Sequence, residues 1–112
     1  MSADLLVSVE DGVLRVVINR PAKRNPLSRT VLAQLRETFD AHRDDATLVL
    51  AVLRGAGEKS FAAGGDLRDF ELLRSHDEAR ALFDLGNAAF NAIRQFPVPV
   101  VAALNGLALG GG

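Results

Sequence analysis

The chain has 112 residues, 48% of them hydrophobic and 24% charged, with 13 Lys+Arg against 14 Asp+Glu and a formal charge of -1. That apolar fraction excludes an intrinsically disordered chain, and the balanced charge argues against wrapping nucleic acid, whose affinity comes mainly from neutralised phosphates. With no cysteine, and with His42 and His76 too far apart to form a short-spaced pair, disulfides, cysteine nucleophiles and thiolate or zinc sites are not expected. The six aromatic residues are all Phe, poor material for base-stacking platforms. Met1 to Asp4 is short and polar, with no basic region leading into an apolar core. The most apolar stretch, Val98 to Leu109, falls well short of the roughly 20 residues that a membrane span needs. The expectation is a soluble, cytoplasmic protein with residues 1–112 in one domain, without nucleic-acid or membrane partners.

Leu5 to Glu10 and Val13 to Asn19 are rich in β-formers and separated by Asp11-Gly12, the pair that suits a tight hairpin turn with positive φ at both positions. Arg20 to Pro26 is a polar loop whose two prolines end the second strand. Ser28 then reads as a helix N-cap, with Val31, Leu32, Leu35 and Phe39 on one face. Thr47 to Leu53 is apolar without alternation, which predicts a strand covered on both faces. Gly55 to Asp66 reads as a glycine- and alanine-rich loop, and Leu67 to Leu73 as a short helix.

Ser75 with Glu78 has the capping-box pattern. The helix it opens carries Ala79, Leu82, Phe83, Ala89, Phe90 and Ile93 on one stripe. Gly86 weakens that helix by about 1 kcal/mol relative to Ala, and Pro97 ends it. Val100 to Leu104 predicts a second buried strand, followed by the glycine-rich tail Asn105 to Gly112. Strands alternating with helices predict an α/β layer structure with right-handed crossovers.

Two glycine-rich loops each follow an apolar strand, Phe61-Ala62-Ala63-Gly64-Gly65-Asp66-Leu67 and Asn105-Gly106-Leu107-Ala108-Leu109-Gly110-Gly111-Gly112. Ligands of α/β folds collect at the carboxyl ends of strands, where small residues let them reach main-chain N–H groups. Two such groups converging from separate loops make an oxyanion hole. Taken singly, each loop is more often ordinary turn chemistry than a binding site. Gly55-Ala56-Gly57-Glu58-Lys59-Ser60 is not a phosphate-binding P-loop, because Glu58 stands where that motif requires glycine. The terminal glycines do not spell a dinucleotide fingerprint either.

Ile18-Asn19-Arg20-Pro21 with Arg24-Asn25-Pro26-Leu27-Ser28 resembles the first signature of the enoyl-CoA hydratase/isomerase (crotonase) family. Phe61 to Leu67 is similar to the second, and Pro97 to Gly106 with Gly110-Gly111-Gly112 to the third, in family order and spacing. The resemblance implies a crotonase-type α/β spiral of ββα units that binds an acyl-CoA thioester. Coenzyme A enters as part of the substrate, and no separate cofactor is implied. It places the oxyanion donors at the N–H groups of Gly65 and Gly111. Adenine contacts fall around Ala63, with Ala62 and Leu27 nearby. Lys23 and Arg24 stand where relatives present basic residues to CoA phosphates, although solvated loop charge explains them equally well. Asp66 is placed beside the first donor, where a helix-capping role is the preferred reading.

Gly65 and Pro26 stand where relatives often carry alanine. Hydratases of the family place two catalytic glutamates beyond the glycine triplet, so this sequence is expected to be an incomplete, amino-terminal portion of one crotonase-like domain, with little hydration by itself. The implied parent adds water to a 2-trans-enoyl-CoA, giving a 3-hydroxyacyl-CoA, and assembles as a homotrimer or hexamer. Isomerase, decarboxylase and thioester hydrolase chemistry share the same oxyanion hole. A noncatalytic CoA-binding or assembly module is the alternative from a different class.

Overall fold

The computed structural model describes residues 3–112, in the order β1 (Leu5–Glu10), β2 (Val13–Ile18), α1 (Arg29–His42), β3 (Leu50–Gly55), β4 (Ser60–Ala62), α2 (Leu67–Glu71), α3 (His76–Arg94), β5 (Val100–Ala103) and β6 (Leu107–Ala108). Asp11 and Gly12 turn the first hairpin with φ of 53° and 78°, as a tight turn between right-twisted strands demands. β1 pairs antiparallel with β2, and β2, β3 and β5 follow in parallel to give the order β1-β2-β3-β5. β4 and β6 form a second, parallel pair.

Period-two alternation on β2 buries Leu14, Val16 and Ile18. They join one hydrophobic core with Val31, Leu35 and Phe39 of α1 and Ala51 and Leu53 of β3. Phe96 closes its far end, with its ring edge-to-face on Phe39 at 5.1 Å. Both longer helices start at the predicted caps: Ser28 Oγ accepts from Val31 N–H and Ser75 Oγ from Glu78 N–H. No helix among the described residues is long and apolar enough to cross a membrane.

Four expectations change. The third strand begins at Leu50, three residues late, because Asp45 Oδ1 accepts from both the Thr47 N–H at 2.9 Å and the Thr47 hydroxyl at 2.6 Å, tying that stretch into a turn. Its faces differ: Ala51 and Leu53 are buried, whereas Val52 is half-buried and Arg54 exposed. Val100–Ala103 is an edge strand with Val101 47% exposed, since only β3 flanks it among the described residues. Phe83 is 60% exposed, because Leu82, Gly86 and Ala89 make the buried stripe of α3 instead. Finally, both glycine-rich segments contain short strands, β4 and β6, which pair with each other. Runs of two and three residues carry too little periodicity to be read locally.

Two asparagines hold the polar connections in place. Asn25 is fully buried. Its Nδ2 donates to the carbonyls of Ala56 at 3.0 Å and Ser60 at 2.9 Å, while its Oδ1 accepts from Arg20 N–H at 2.9 Å. Asn105 reaches the same loop from the other side, donating to Gly57 and Ser60 carbonyls and accepting from Gly55 N–H. Asn25 also holds a φ of 54°, a left-handed conformation that asparagine tolerates better than most residues.

Asn25→Ala strands the part-buried Arg20 N–H and Ala56 carbonyl, while the Ser60 carbonyl keeps its bond from Asn105, at about 1–3 kcal/mol for a group left unpaired. Denaturant titration is expected to show that loss in full, and a smaller one for the half-buried Asn105→Ala. At Asp45, the Thr47 hydroxyl and then the Thr47 N–H hold the carboxyl below the usual carboxylate range. A lowered folded-state pKa means this tie is present above the unfolded value and lost as pH falls through the folded one. Thr47→Val is therefore expected to raise the Asp45 titration midpoint, read by NMR.

Candidate functional site

The parallel pairing of β4 with β6 brings the carboxyl ends of both strands to the same place. Leu107 N–H donates to Lys59 O at 3.1 Å and Leu109 N–H to Ala62 O at 3.0 Å. Each strand then runs into a turn with a left-handed glycine, Gly64 at φ 92° and Gly110 at φ 54°. The turns meet backbone to backbone: a Cβ on Gly64 would lie 2.9 Å from Leu109 O and 3.6 Å from Gly110 Cα. Gly112 N–H closes the second turn on Leu109 O at 2.8 Å. Leu27 N–H donates to Gly64 O at 2.7 Å, pinning the first turn to the segment before α1.

These bonds take the N–H groups of Leu27, Leu107, Leu109 and Gly112. Among the described residues, no main-chain or side-chain oxygen takes the N–H of Gly65 or of Gly111. Both glycines line one cavity of about 190 Å³. Its walls are apolar, formed chiefly by Leu27, Phe70, Leu82, Phe83 and Phe90, with Gly86 of α3 also facing it. Phe70 and Phe83 stack at 6.3 Å with 29° between ring planes. Phe70 also covers Gly65, with its Cζ only 2.7 Å from where a Cβ at that position would stand.

A larger open groove of about 610 Å³ adjoins the cavity, with Arg20, Lys23, Ala63 and Arg68 on its walls. Gly65, Asp66 and Asp69 line both spaces. Gly65 therefore stands where a polar channel passes into an apolar one. Arg20 is held by Asp4 at 3.8 Å, and Lys23, on the 3-10 turn Pro21–Lys23, is exposed.

Of the residues singled out in the sequence, Gly65, Gly111, Leu27 and Asp66 come together at the cavity, and Lys23 and Ala63 at the groove. Ala63 N–H donates to Asn25 O at 3.1 Å, tying the first glycine turn to the buried Asn25. Ala62 is buried and faces a second space of about 220 Å³ behind Leu27 and Phe90. Arg24 is exposed in a left-handed conformation at φ 64° and lines neither the cavity nor the groove.

Asp66 caps α2, its Oδ1 accepting from Arg68 N–H at 2.9 Å. Asp69 Oδ2 accepts from Arg29 N–H at 2.7 Å and so ties α2 to the start of α1. Local reading misses Phe70, Arg20 and Arg68 as lining residues, and Asn25 and Asn105 as the clamps behind the turns. Gly86 did leave a signal, a helix-weakening residue in the middle of a 19-residue helix.

Two parallel strands thus end in paired glycine turns, with the Gly65 and Gly111 amides at one apolar cavity. Residues 13–112 match the enoyl-CoA hydratase/isomerase family, and the chain belongs to it. The chain is 37% identical over 109 residues to the crotonyl-CoA hydratase of Syntrophomonas wolfei, covering 97% of this chain and 42% of that protein. It is 36% identical to the short-chain-enoyl-CoA hydratase of Clostridium acetobutylicum, with 97% and 41% covered. Among solved structures, Pseudomonas aeruginosa AtuE superimposes with a TM-score of 0.93 at 36% identity, covering 98% of this chain and 43% of that one. The enoyl-CoA hydratase of Bacillus anthracis gives 0.91 at 32% identity, with 98% and 43% covered. The fold is thus the crotonase fold, and the chain spans about 42% of the length of its first curated relative.

The two neighbouring glycines differ in what they tolerate. Gly64→Ala forces a side chain into a left-handed backbone and onto a carbonyl, so a loss of about 1–2 kcal/mol or more is expected in thermal or denaturant unfolding. Gly65→Ala meets only the outer edge of a half-exposed Phe70 ring, and is expected to fold with a loss below about 1 kcal/mol.

Proposed function

We propose that this chain carries the thioester-binding part of an enoyl-CoA hydratase site. The supporting observation is that the two unpaired amides, Gly65 and Gly111, share one apolar cavity whose mouth opens beside a polar groove carrying Arg20, Lys23 and Arg68 together with Asp4, Asp66 and Asp69. The thioester oxygen accepts from both N–H groups, the acyl tail enters the cavity and the CoA moiety lies along the groove. Lys23, Arg20 and Arg68 there face its phosphates, and the Ala63 carbonyl faces the adenine amino group. Two donors aimed at one oxygen stabilise the enolate that forms as water adds to the β-carbon. Each such donor is typically worth about 2.7–4 kcal/mol in the transition state, because it is preorganised in a site shielded from water.

Asp66 and Asp69 are the carboxylates lining this cavity, and each already accepts a main-chain N–H. Their work is to hold α2 against the site, so this portion of the chain binds and polarises the thioester. The crotonyl-CoA and short-chain-enoyl-CoA hydratases among its relatives supply the reaction class. The implied reaction is hydration of a 2-trans-enoyl-CoA.

Amide NMR with hexanoyl-CoA, and with the thioether analogue that lacks its carbonyl, tests the reading. The Gly65 and Gly111 proton resonances are expected to move downfield with the thioester and to respond far less to the thioether. Binding that leaves both amides unmoved would refute it.

A further inference from the structure

Gly86 has no structural need to be glycine. It lies in the interior of α3, it is buried, and its backbone is not left-handed. Nor does it permit a close helix crossing. A Cβ built there meets only Leu32 Cδ1, at 3.8 Å, an ordinary van der Waals contact. Alanine would fit, and would stabilise the helix by roughly the difference in propensity between the two residues. A residue that works against its own helix without relieving a clash or a strained φ points to a requirement outside stability. Gly86 opens onto the apolar cavity that Gly65 and Gly111 also line.

We propose that Gly86 sets the depth of the acyl pocket, so that the chain accepts tails of about six carbons or a single phenyl ring. This inference rests on the thioester reading above. The cavity, open at its mouth, holds about 190 Å³, somewhat more than the roughly 150 Å³ of an enclosed apolar cavity that accommodates benzene. The lining carries the rest of the selectivity. Phe70 and Phe83 stack on one side, Phe90 stands on another, and Asn87 is the polar residue beside Gly86. A side chain at position 86 takes its volume directly from the tail. Phe70 bounds the thioester end, seated against Gly65 where an alanine would displace it.

Calorimetric binding of acetyl-, butyryl-, hexanoyl-, octanoyl- and decanoyl-CoA, with free CoA as the baseline, provides the test. In the unaltered chain, affinity is expected to rise by about fourfold per methylene as far as hexanoyl, as burial of each CH₂ dictates, and then to level off. Gly86→Val is expected to abolish the hexanoyl-over-butyryl advantage while leaving acetyl-CoA binding within about twofold. Gly86→Ala is expected to raise the melting temperature and to reduce that advantage partly, which gives a reading even where Val impairs folding. A melting temperature raised by Ala with the chain-length profile unchanged would overturn the assignment of Gly86. So would a steady rise through decanoyl-CoA. Failure of the underlying reading looks different: the unaltered, folded chain would bind no acyl-CoA better than free CoA, and both conclusions would fall together.

Discussion

The Ser60 carbonyl accepts hydrogen bonds from two asparagine side chains, Asn25 at 2.9 Å and Asn105 at 3.0 Å, and the geometry of the site depends on that shared acceptor. Ser60 opens β4, the strand that delivers Ala63, Gly64 and Gly65. Asn25 precedes Leu27 by two residues, and Leu27 pins the Gly64 turn. Asn105 opens the segment that becomes β6 and the second glycine turn. One carbonyl thus registers three stretches of chain that are far apart in sequence. Polar side chains do this better than apolar packing here, because hydrogen bonds fix direction whereas hydrophobic contact is indifferent to sliding.

The hydrophobic core does a different job. Leu14, Val16 and Ile18 against Val31, Leu35 and Phe39 hold α1 on the sheet, which settles where the Asn25–Ser28 segment enters. α3 lies against α1 and turns Leu82, Gly86 and Phe90 toward the glycine turns. The cavity is therefore a gap left between helix packing and backbone turns, and its lining comes from residues 27 to 111. Its apolar wall suits the main-chain donors beside it, because a hydrogen bond made in surroundings of low polarity is stronger than one made in water.

Local chemistry made several parts of this legible. Asp11-Gly12 specified a hairpin, because two consecutive positive φ values admit few other residue pairs. Ser28 and Ser75 marked helix starts, because an orphan N–H needs an acceptor at a fixed offset. The glycine turns and their signatures pointed to the family and to Gly65 and Gly111 as the pair to watch. The third strand's starting point was not legible, since Thr47 to Leu53 looks uniformly apolar and the Asp45 turn that delays it depends on one side-chain geometry.

Sequence alone determined the α/β order, the caps, the hairpin and the identity of the two small-residue turns, because each depends on residues within a few positions of one another. Tertiary structure decided that β4 and β6 pair, that Phe83 stays largely exposed at the cavity wall while Gly86 is buried there, and that Lys23 rather than Arg24 lies along the groove. Those outcomes arise from contacts between residues tens of positions apart, where the choice rests on which surfaces meet and not on what any short segment prefers.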